Sequence, residues 1–196
     1  MRMIEIYKVI FCSQSKKYKI IFRTLENDKE LILYFEAQYA KNIAMASENI
    51  ISISLSQYEL FINLLNELKL KIDRVSFIDK NNSLSCTLNL SNNNNNNNIE
   101  IYSFVGDAII LSLKTFSSIY IDEKFLLDIN DDDNILDKFH FNNENIEDLK
   151  KGIDYRGESI NSKVIILESA LDDCINKENY EAAAFIRDRI KQLKKQ

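Results

Sequence analysis

Residues 164–193 read VIILESALDDCINKENYEAAAFIRDRIKQL, and this stretch predicts the fold of the C-terminus. Apolar residues recur at steps of three and four in both of its halves, which places them on one face of a helix. The repeating residues are Val164, Leu167, Leu171 and Ile175, then Tyr180, Ala183, Ile186, Ile190 and Leu193. Polar residues 177–179 separate the halves, and Asn179 is a favourable N-cap for the second helix. The stretch therefore predicts an antiparallel helical hairpin with one apolar seam.

The predicted hairpin is too short to be stable alone, because it buries little apolar surface. Its seam must therefore be covered by something else. Two interpretations fit the pattern. Either the hairpin packs on the domain of its own chain, or it offers the exposed seam to another protein.

Length and charge divide the chain into unequal parts. It has 196 residues, of which 45% are hydrophobic, so it can form one domain of ordinary size and a small appendage. Residues 122–160 contain 12 acidic and 5 basic side chains, a balance of −7, within a net charge of −5. Residues 1–121 and 161–196 carry +1 each, which completes the sum. The acidity therefore belongs to a linker, and the near-neutral remainder neither favours nor excludes phosphate binding.

The cysteines and the apolar runs indicate the cellular compartment of the protein. Cys12, Cys86 and Cys174 are odd in number, widely spaced and set in apolar surroundings, which is typical of reduced thiols. The N-terminus has no signal-peptide pattern, and no apolar run reaches membrane-spanning length. We therefore expect a cytoplasmic protein that does not enter a membrane.

The first 121 residues contain the patterns of both strands and helices. Alternating or short continuous apolar runs predict strands at 3–11, 18–25, 31–35, 71–78, 83–90, 99–102 and 118–121. The last of these is expected to close the sheet. Helical spacing predicts helices at 37–47, 56–68 and 104–116. The first is expected to pack through Ala40, Ile43 and Ala44, and the third through Ala108, Leu111 and Ser112. The second helix is expected to bury Leu60, Leu64, Leu65 and Leu68, and the run from Asn92 to Asn98 to form a solvated loop.

This order of elements predicts the α+β class. We expect a mixed or antiparallel sheet with about three helices, followed by an acidic linker and a C-terminal antiparallel helical hairpin. The expected boundaries are a domain at 1–128, the linker at 129–160 and the hairpin at 161–196.

The second half of the hairpin carries a family motif. Residues 180–190, YEAAAFIRDRI, resemble the UVR motif, with its aromatic-Glu-x-Ala-Ala-x-x-Arg-Asp-x-Ile pattern. That motif occurs in the excision-repair proteins UvrB and UvrC and in some regulators of Clp-type proteases, where it binds another protein and often another such hairpin. The resemblance implies a UVR-containing partner or self-association. The residues implied for partner binding are Leu167, Leu171, Tyr180, Ala183, Arg187 and Ile190.

The body is similar to the bifunctional nuclease domain, a family that cuts DNA and RNA. Residues 106–114, GDAIILSLK, correspond to the family's Arg-Pro-Ser-Asp-Ala-Ile-x-Leu-Ala run, and 119–121 to its Pro-Ile-Tyr-Val. Residues 31–44 correspond to its Leu-Pro-Ile-x-Ile-Gly strand and Glu-Ala-x-x-Ile-Ala helix, and residues 54–60 to its Arg-Pro-x-Thr-His-Asp-Leu segment. Some members also carry a UVR hairpin. The resemblance implies a metal-dependent DNA or RNA phosphodiester hydrolase.

Departures from the family pattern fall on polar positions. In the Arg-Pro-Ser-Asp run only Asp107 is retained, after Phe104, Val105 and Gly106. Other family residues are replaced as follows: Arg by Ser54, His by Tyr58, Asp by Glu59, Gly by Glu36 and Glu by Tyr39. The apolar positions fit well, so the scaffold is expected to be retained while much of the polar chemistry is exchanged.

Three carboxylates are the candidate site residues. Asp107 and Glu59 are the candidate catalytic residues, and with Glu36 they are the candidate ligands of Mg²⁺ or Mn²⁺. Each has a structural alternative. Asp107 suits a helix N-cap, Glu59 a capping box with Ser56, and Glu36 a solvated strand end.

Other polar residues give weaker indications of a functional role. His140 is the only histidine and falls in the acidic stretch, so histidine catalysis is not expected. Asp131, Asp132 and Asp133 are expected to be a solvated charge run. Lys16, Lys17, Lys19 and Arg23 are the candidates for a phosphate-contacting edge, with plain solvation as the alternative.

Two functions remain open. One is a nuclease centred on Asp107 and Glu59, acting on DNA or RNA. The other is a catalytically inactive adaptor or regulator that works through its UVR hairpin.

Overall fold

A computed structural model of the chain describes residues 1–12, 17–50, 56–80, 83–92, 95–129 and 159–194. Within these residues, eight strands form one mixed sheet. They are β1 (Arg2–Cys12), β2 (Lys17–Thr24), β3 (Lys29–Phe35), β4 (Leu70–Lys80), β5 (Ser83–Asn92), β6 (Asn95–Ser103), β7 (Ser118–Ile121) and β8 (Leu127–Asp128). The order across the sheet is β6-β5-β4-β7-β1-β2-β3-β8.

Strand β7 joins the two halves of the sheet. It pairs in parallel with β4 and antiparallel with β1, whereas the other neighbouring strands are antiparallel. The sequence predicted that this strand would close the sheet, but it lies in the middle. A four-residue strand can occupy a central position because its alternate residues Ile119 and Ile121 are buried.

The asparagine run is not the predicted loop. Asn92 ends β5 and Asn95 begins β6, and these two residues are paired. Only residues 93 and 94 of the run lie outside the described part. Asparagine is depleted in strands, but the ladder between β5 and β6 continues past the apolar pairs Leu90–Ile99 and Leu88–Ile101. The pairing set by these apolar residues outweighs the local preference.

Three helices pack on the sheet: α1 (Ala37–Ser47), α2 (Gln57–Glu67) and α3 (Val105–Thr115). Helix α1 contacts β2, β3 and α3, and α3 also contacts β4, β5 and β7. The predicted packing residues Ala40, Ile43 and Ala44 of α1 are buried, as are those of α3, Ala108, Leu111 and Ser112. These predictions are confirmed.

The predicted buried stripe of α2 is mostly wrong. Leu65 is buried, but Leu60, Leu64 and Leu68 are exposed. The helix instead turns Tyr58 and Leu65 inward, with Phe61 and Ile62 packed against the core. Two apolar stripes share this helix, and helical spacing does not say which one faces the sheet.

The C-terminal hairpin consists of α4 (Ser159–Asn176) and α5 (Tyr180–Leu193). Asn179 caps α5 as predicted, since its side chain accepts a hydrogen bond from the backbone N–H of Ala182 at 3.3 Å. The α+β class, the mixed sheet, three body helices and the terminal hairpin are thereby confirmed.

The acidic stretch 130–158, with the residues Asp131, Asp132, Asp133 and His140, lies outside the described residues.

The seam of the hairpin is covered by its own body. Ile50, which follows α1, forms one buried cluster with Val164, Leu167, Ala170, Ile186 and Ile190. Ile166 joins the main core, and α4 contacts both α1 and β1. Two ion pairs cross the same boundary, Lys41 with Asp173 and Glu48 with Arg189. Of the two interpretations, packing on the domain of the same chain is the one observed, because α1 and Ile50 supply the apolar surface that the hairpin requires. The interpretation with an exposed seam is wrong.

Four of the helices are followed by a residue with a left-handed backbone. Asn49, Lys69, Phe116 and Glu178 have φ between 54° and 56°. Glycine is usual at such positions, and the chain has only three glycines.

Within the described residues, no helix combines the length and apolar character needed to span a membrane.

Candidate functional site

The starts of α2 and α3 meet at the retained aspartate. Asp107 lies in the first turn of α3, where a carboxylate interacts favourably with the unpaired N–H groups. The hydroxyl of Tyr58, in the first turn of α2, donates a hydrogen bond of 2.8 Å to Oδ1 of Asp107. Asp107 is not the N-cap of α3, since that position is Phe104. The predicted N-cap role is therefore wrong, and the side chain points to a neighbouring helix instead.

Tyr58 acts as a neutral donor in this pair. Burial, followed by the hydrogen bond to Asp107, raises the pKa of Tyr58 to about 12. Only 8% of this residue is exposed. At neutral pH the phenol therefore keeps its proton and cannot serve as a base, in contrast to the histidine that the family has at this position.

Tyr39 and Gly106 lie against each other. The ring of Tyr39 lies so close to Gly106 that a Cβ atom there would come within 2.6 Å of Tyr39 Cδ1. The family's Ser at 106 would therefore displace this ring, whereas glycine admits it. Burial, followed by the charge of Asp107, raises the pKa of Tyr39. The two departures from the family pattern at positions 39 and 106 are therefore in contact with each other, next to Asp107.

Glu59 has a different partner. Its backbone N–H reaches the Ser56 side chain at 3.5 Å, as expected for one half of a capping box. Its carboxylate pairs through Oε1 with Lys114 of α3 rather than returning to Ser56. Its other oxygen, Oε2, is buried and has no hydrogen-bond partner. Lys114 and this buried oxygen were not found by sequence reasoning.

Glu36 does not join the other two carboxylates in a metal site. It occupies the N-cap of α1, is 67% exposed and pairs with Lys17 at 3.3 Å. Asp107, Glu59 and Glu36 thus have three separate partners. Among the described residues, no group of three or more His, Cys, Asp or Glu side chains could hold a metal ion. These residues do not fit the Mg²⁺ or Mn²⁺ centre implied by the resemblance.

The described basic residues of the predicted phosphate-contacting edge are paired with carboxylates or buried. Arg23 pairs with Glu30 at 2.6 Å and stacks on the ring of Tyr7. Lys17 pairs with Glu36, and Lys19 is buried, which lowers its pKa. Lys16 lies outside the described residues. The three described residues of this edge do not form a row of exposed cations.

The residues implied for partner binding fall on two sides of the hairpin. Leu167 and Ile190 are buried in the cluster that contains Ile50 of the body, and Leu171 packs against the same cluster. Ala183 is also buried. Tyr180 and Arg187 are exposed. Exposed Phe185, which sequence reasoning did not single out, lies on α5 with them.

Fold and site together define a two-part protein, an α+β body with a helical hairpin packed on it. The model of the bifunctional nuclease domain matches residues 20–132, which is more than half of the chain. The model of the UVR, or UvrB/uvrC, motif matches residues 163–196. The chain therefore belongs to the bifunctional nuclease domain family and carries a UVR motif over its hairpin. Both resemblances are confirmed. No curated protein matches the chain.

Proposed function

We propose that the body hydrolyses phosphodiester bonds of DNA or RNA in the cytoplasm, with Asp107 as its central carboxylate. Family membership and the retention of Asp107 at the start of α3 carry this proposal. Tyr58 fixes the carboxylate through Oδ1. In the proposed step Oδ2 accepts a proton from the attacking water, as a general base does. The water oxygen bonds to phosphorus while the bond from phosphorus to the leaving oxygen breaks, and that oxygen takes a proton from solvent. Glu59 is kept as the second candidate catalytic residue.

A cleavage assay on the full chain tests this function. Single-stranded DNA, duplex DNA and RNA are each incubated with Mg²⁺, with Mn²⁺ and with a chelator, which also shows whether a metal is needed. Asp107→Asn should reduce cleavage by roughly a hundredfold or more, as expected for loss of a general base. Asp172→Asn is the matched control, because Asp172 is an exposed aspartate of α4. Equal rates in the two variants would contradict the assignment.

Three observations favour a second candidate, an adaptor or regulator that cleaves no nucleic acid. Lys114 neutralises Glu59, Tyr58 replaces the family's histidine, and the three carboxylates are not clustered. A folded wild-type chain that cuts none of the three substrates would support the adaptor.

The docking partner is proposed to be a UVR-containing protein or a second copy of this chain. The exposed side of α5, at Tyr180 and Arg187, is available to it. Deleting the hairpin would uncover Ile50, so point variants are the better test. Tyr180→Ser with Arg187→Gln should weaken association in sedimentation experiments, while Lys191→Gln should not. The domain at 1–128, the linker at 129–160 and the hairpin at 161–196 remain our proposed division.

A further inference from the structure

Strand β6 leaves one edge of the sheet open. Within the described residues it pairs with β5 alone, so the N–H and C=O groups along its other side have no neighbouring strand. It has nine residues, whereas strands usually have about five or six. It contains neither lysine nor proline, the residues that commonly protect an exposed edge. This edge can therefore accept a further strand.

One face of β6 continues the core but is not covered. Ile99 and Ile101 pair with Leu90 and Leu88 of β5, and both leucines are buried. Directly paired residues point to the same face of a sheet, so the two isoleucines point to the core side. They are nevertheless 42% and 38% exposed. An added strand with apolar residues on this face would remove them from water.

The other face of β6 presents two charges. Glu100 and Tyr102 alternate with the isoleucines and therefore point away from the core. Lys80 of β4 reaches this face, and its ammonium group lies 3.9 Å from the centre of the Tyr102 ring. Among the described residues, neither Lys80 nor Glu100 takes part in an ion pair, and the nearby Asp79 is paired with Lys124. The edge thus carries an anion and a cation that are complementary to each other.

A two-fold axis at Ile101 satisfies these features together. Antiparallel pairing of β6 with the same strand of a second copy then sets Ile101 opposite itself, and Glu100 opposite Tyr102 of the other copy. Directly opposed Cβ atoms are about 4.5–5.5 Å apart, so Glu100 comes within reach of the Lys80 ammonium that lies on this ring. Symmetry repeats the pair on the other side of the axis. A register centred on Glu100 would instead oppose two carboxylates, which is unfavourable.

We propose that the chain forms a two-fold dimer through antiparallel pairing of residues 99–103 of β6, with a Lys80–Glu100 ion pair on each side of the axis. The sheets of the two copies then continue as one. A second copy fits this edge because it supplies both the isoleucine and the glutamate that the edge matches. The surface is separate from the exposed side of α5, and the dimer does not depend on cleavage of nucleic acid.

Sedimentation of the full chain over a range of concentrations tests this dimer. We expect a monomer–dimer equilibrium. Ile101→Lys should weaken it roughly tenfold or more, because two ammonium groups would then lie opposite each other at the axis. Ile165→Lys is the matched control, since Ile165 of α4 is 48% exposed and lies outside the sheet. The control should dimerise as the wild type does, and circular dichroism verifies that both variants are folded.

Charge reversal tests the register of the two strands. Glu100→Lys and Lys80→Glu should each weaken the dimer, because each brings like charges together across the axis. The double variant exchanges the two charges and should recover most of the wild-type affinity. Tyr180→Ser with Arg187→Gln should leave this dimer intact, which separates it from association through α5.

Three results would overturn the inference. The first is a wild-type chain that sediments as a monomer at every concentration, which would leave the edge to a different partner. The second is an equal effect of the two isoleucine substitutions, or a dimer that only the α5 variant disrupts. The third is a double charge reversal that dimerises no better than the single ones. Cleavage activity does not enter these measurements, so this proposal and the proposed function can fail separately.

Discussion

Substituting Ile186 in the hairpin should lower the stability of the whole chain. Ile186 is 0% exposed and packs in the cluster that contains Ile50 of the body. Ile186→Ala removes three carbon atoms, worth about 0.8 kcal/mol each, or roughly 2.4 kcal/mol in transfer free energy. The residual cavity raises the loss to about 3 kcal/mol, within the range of about 2–5 kcal/mol for such changes. With a urea m-value of about 2 kcal/mol/M, the midpoint should fall by roughly 1.5 M.

The assay is urea unfolding, followed by circular dichroism and by tyrosine fluorescence, since the chain has nine tyrosines and no tryptophan. The two signals should give one shared midpoint if the hairpin and the body unfold together. Phe185→Ala is the matched control, because Phe185 is the preceding residue and is 73% exposed. It should change the free energy of unfolding by no more than about 0.5 kcal/mol. Equal effects of the two substitutions, or a hairpin transition separate from that of the body, would refute the reasoning.

Three further predictions concern the body. Leu65→Ala should cost roughly 3 kcal/mol of unfolding free energy in urea titrations, while Leu64→Ala on the exposed stripe of α2 should cost less than about 1 kcal/mol. The folded-state pKa of Tyr58, about 12, lies above its ordinary value of 10.0, so its contribution to stability is complete below pH 10.0 and is lost as the pH rises toward 12. Across this interval the free energy of unfolding should fall less steeply in Tyr58→Phe than in the wild type, and an unchanged slope would contradict the raised pKa of the buried phenol. Lys69 has a left-handed backbone with a φ of 56°, which glycine adopts without strain. Lys69→Gly should therefore raise the free energy of unfolding by about 1 kcal/mol and shift the urea midpoint upward.

Most elements of the fold could be predicted from local patterns, but the two-residue strand β8, the inward face of α2 and the strand order could not. Helix α1 begins and ends where the spacing of Ala40, Ile43 and Ala44 indicates. Helix α2 has two apolar stripes, and only the position of the sheet decides that Leu65 faces inward and Leu64 outward. The central position of β7 likewise depends on parallel pairing with β4, between residues more than 40 positions apart such as Val75 and Ile119.

Individual residues of the candidate site could be predicted from the sequence, but the contacts between them could not. Asp107 was identified by resemblance, but its partner Tyr58 is 49 positions away and is brought to it only by the packing of two helix starts. Glu59 and Lys114, 55 positions apart, meet for the same reason. The replacement of Ser and Glu by Gly106 and Tyr39 is understandable only when the contact between them is known. The sequence also indicated that the hairpin needs an apolar partner, without showing that α1 supplies it.

The central claim is that the hairpin packs on its own body through α1. Carbodiimide treatment of the full chain at low concentration, followed by mass spectrometry of the monomer, tests it most directly. The contact between Lys41 and Asp173 should yield an amide link between α1 and α4, next to the link within the hairpin between Lys194 and Glu168, whose atoms are 2.8 Å apart. Formation of the Lys194–Glu168 link without any link from Lys41 to Asp173 would contradict the packing of the hairpin on α1.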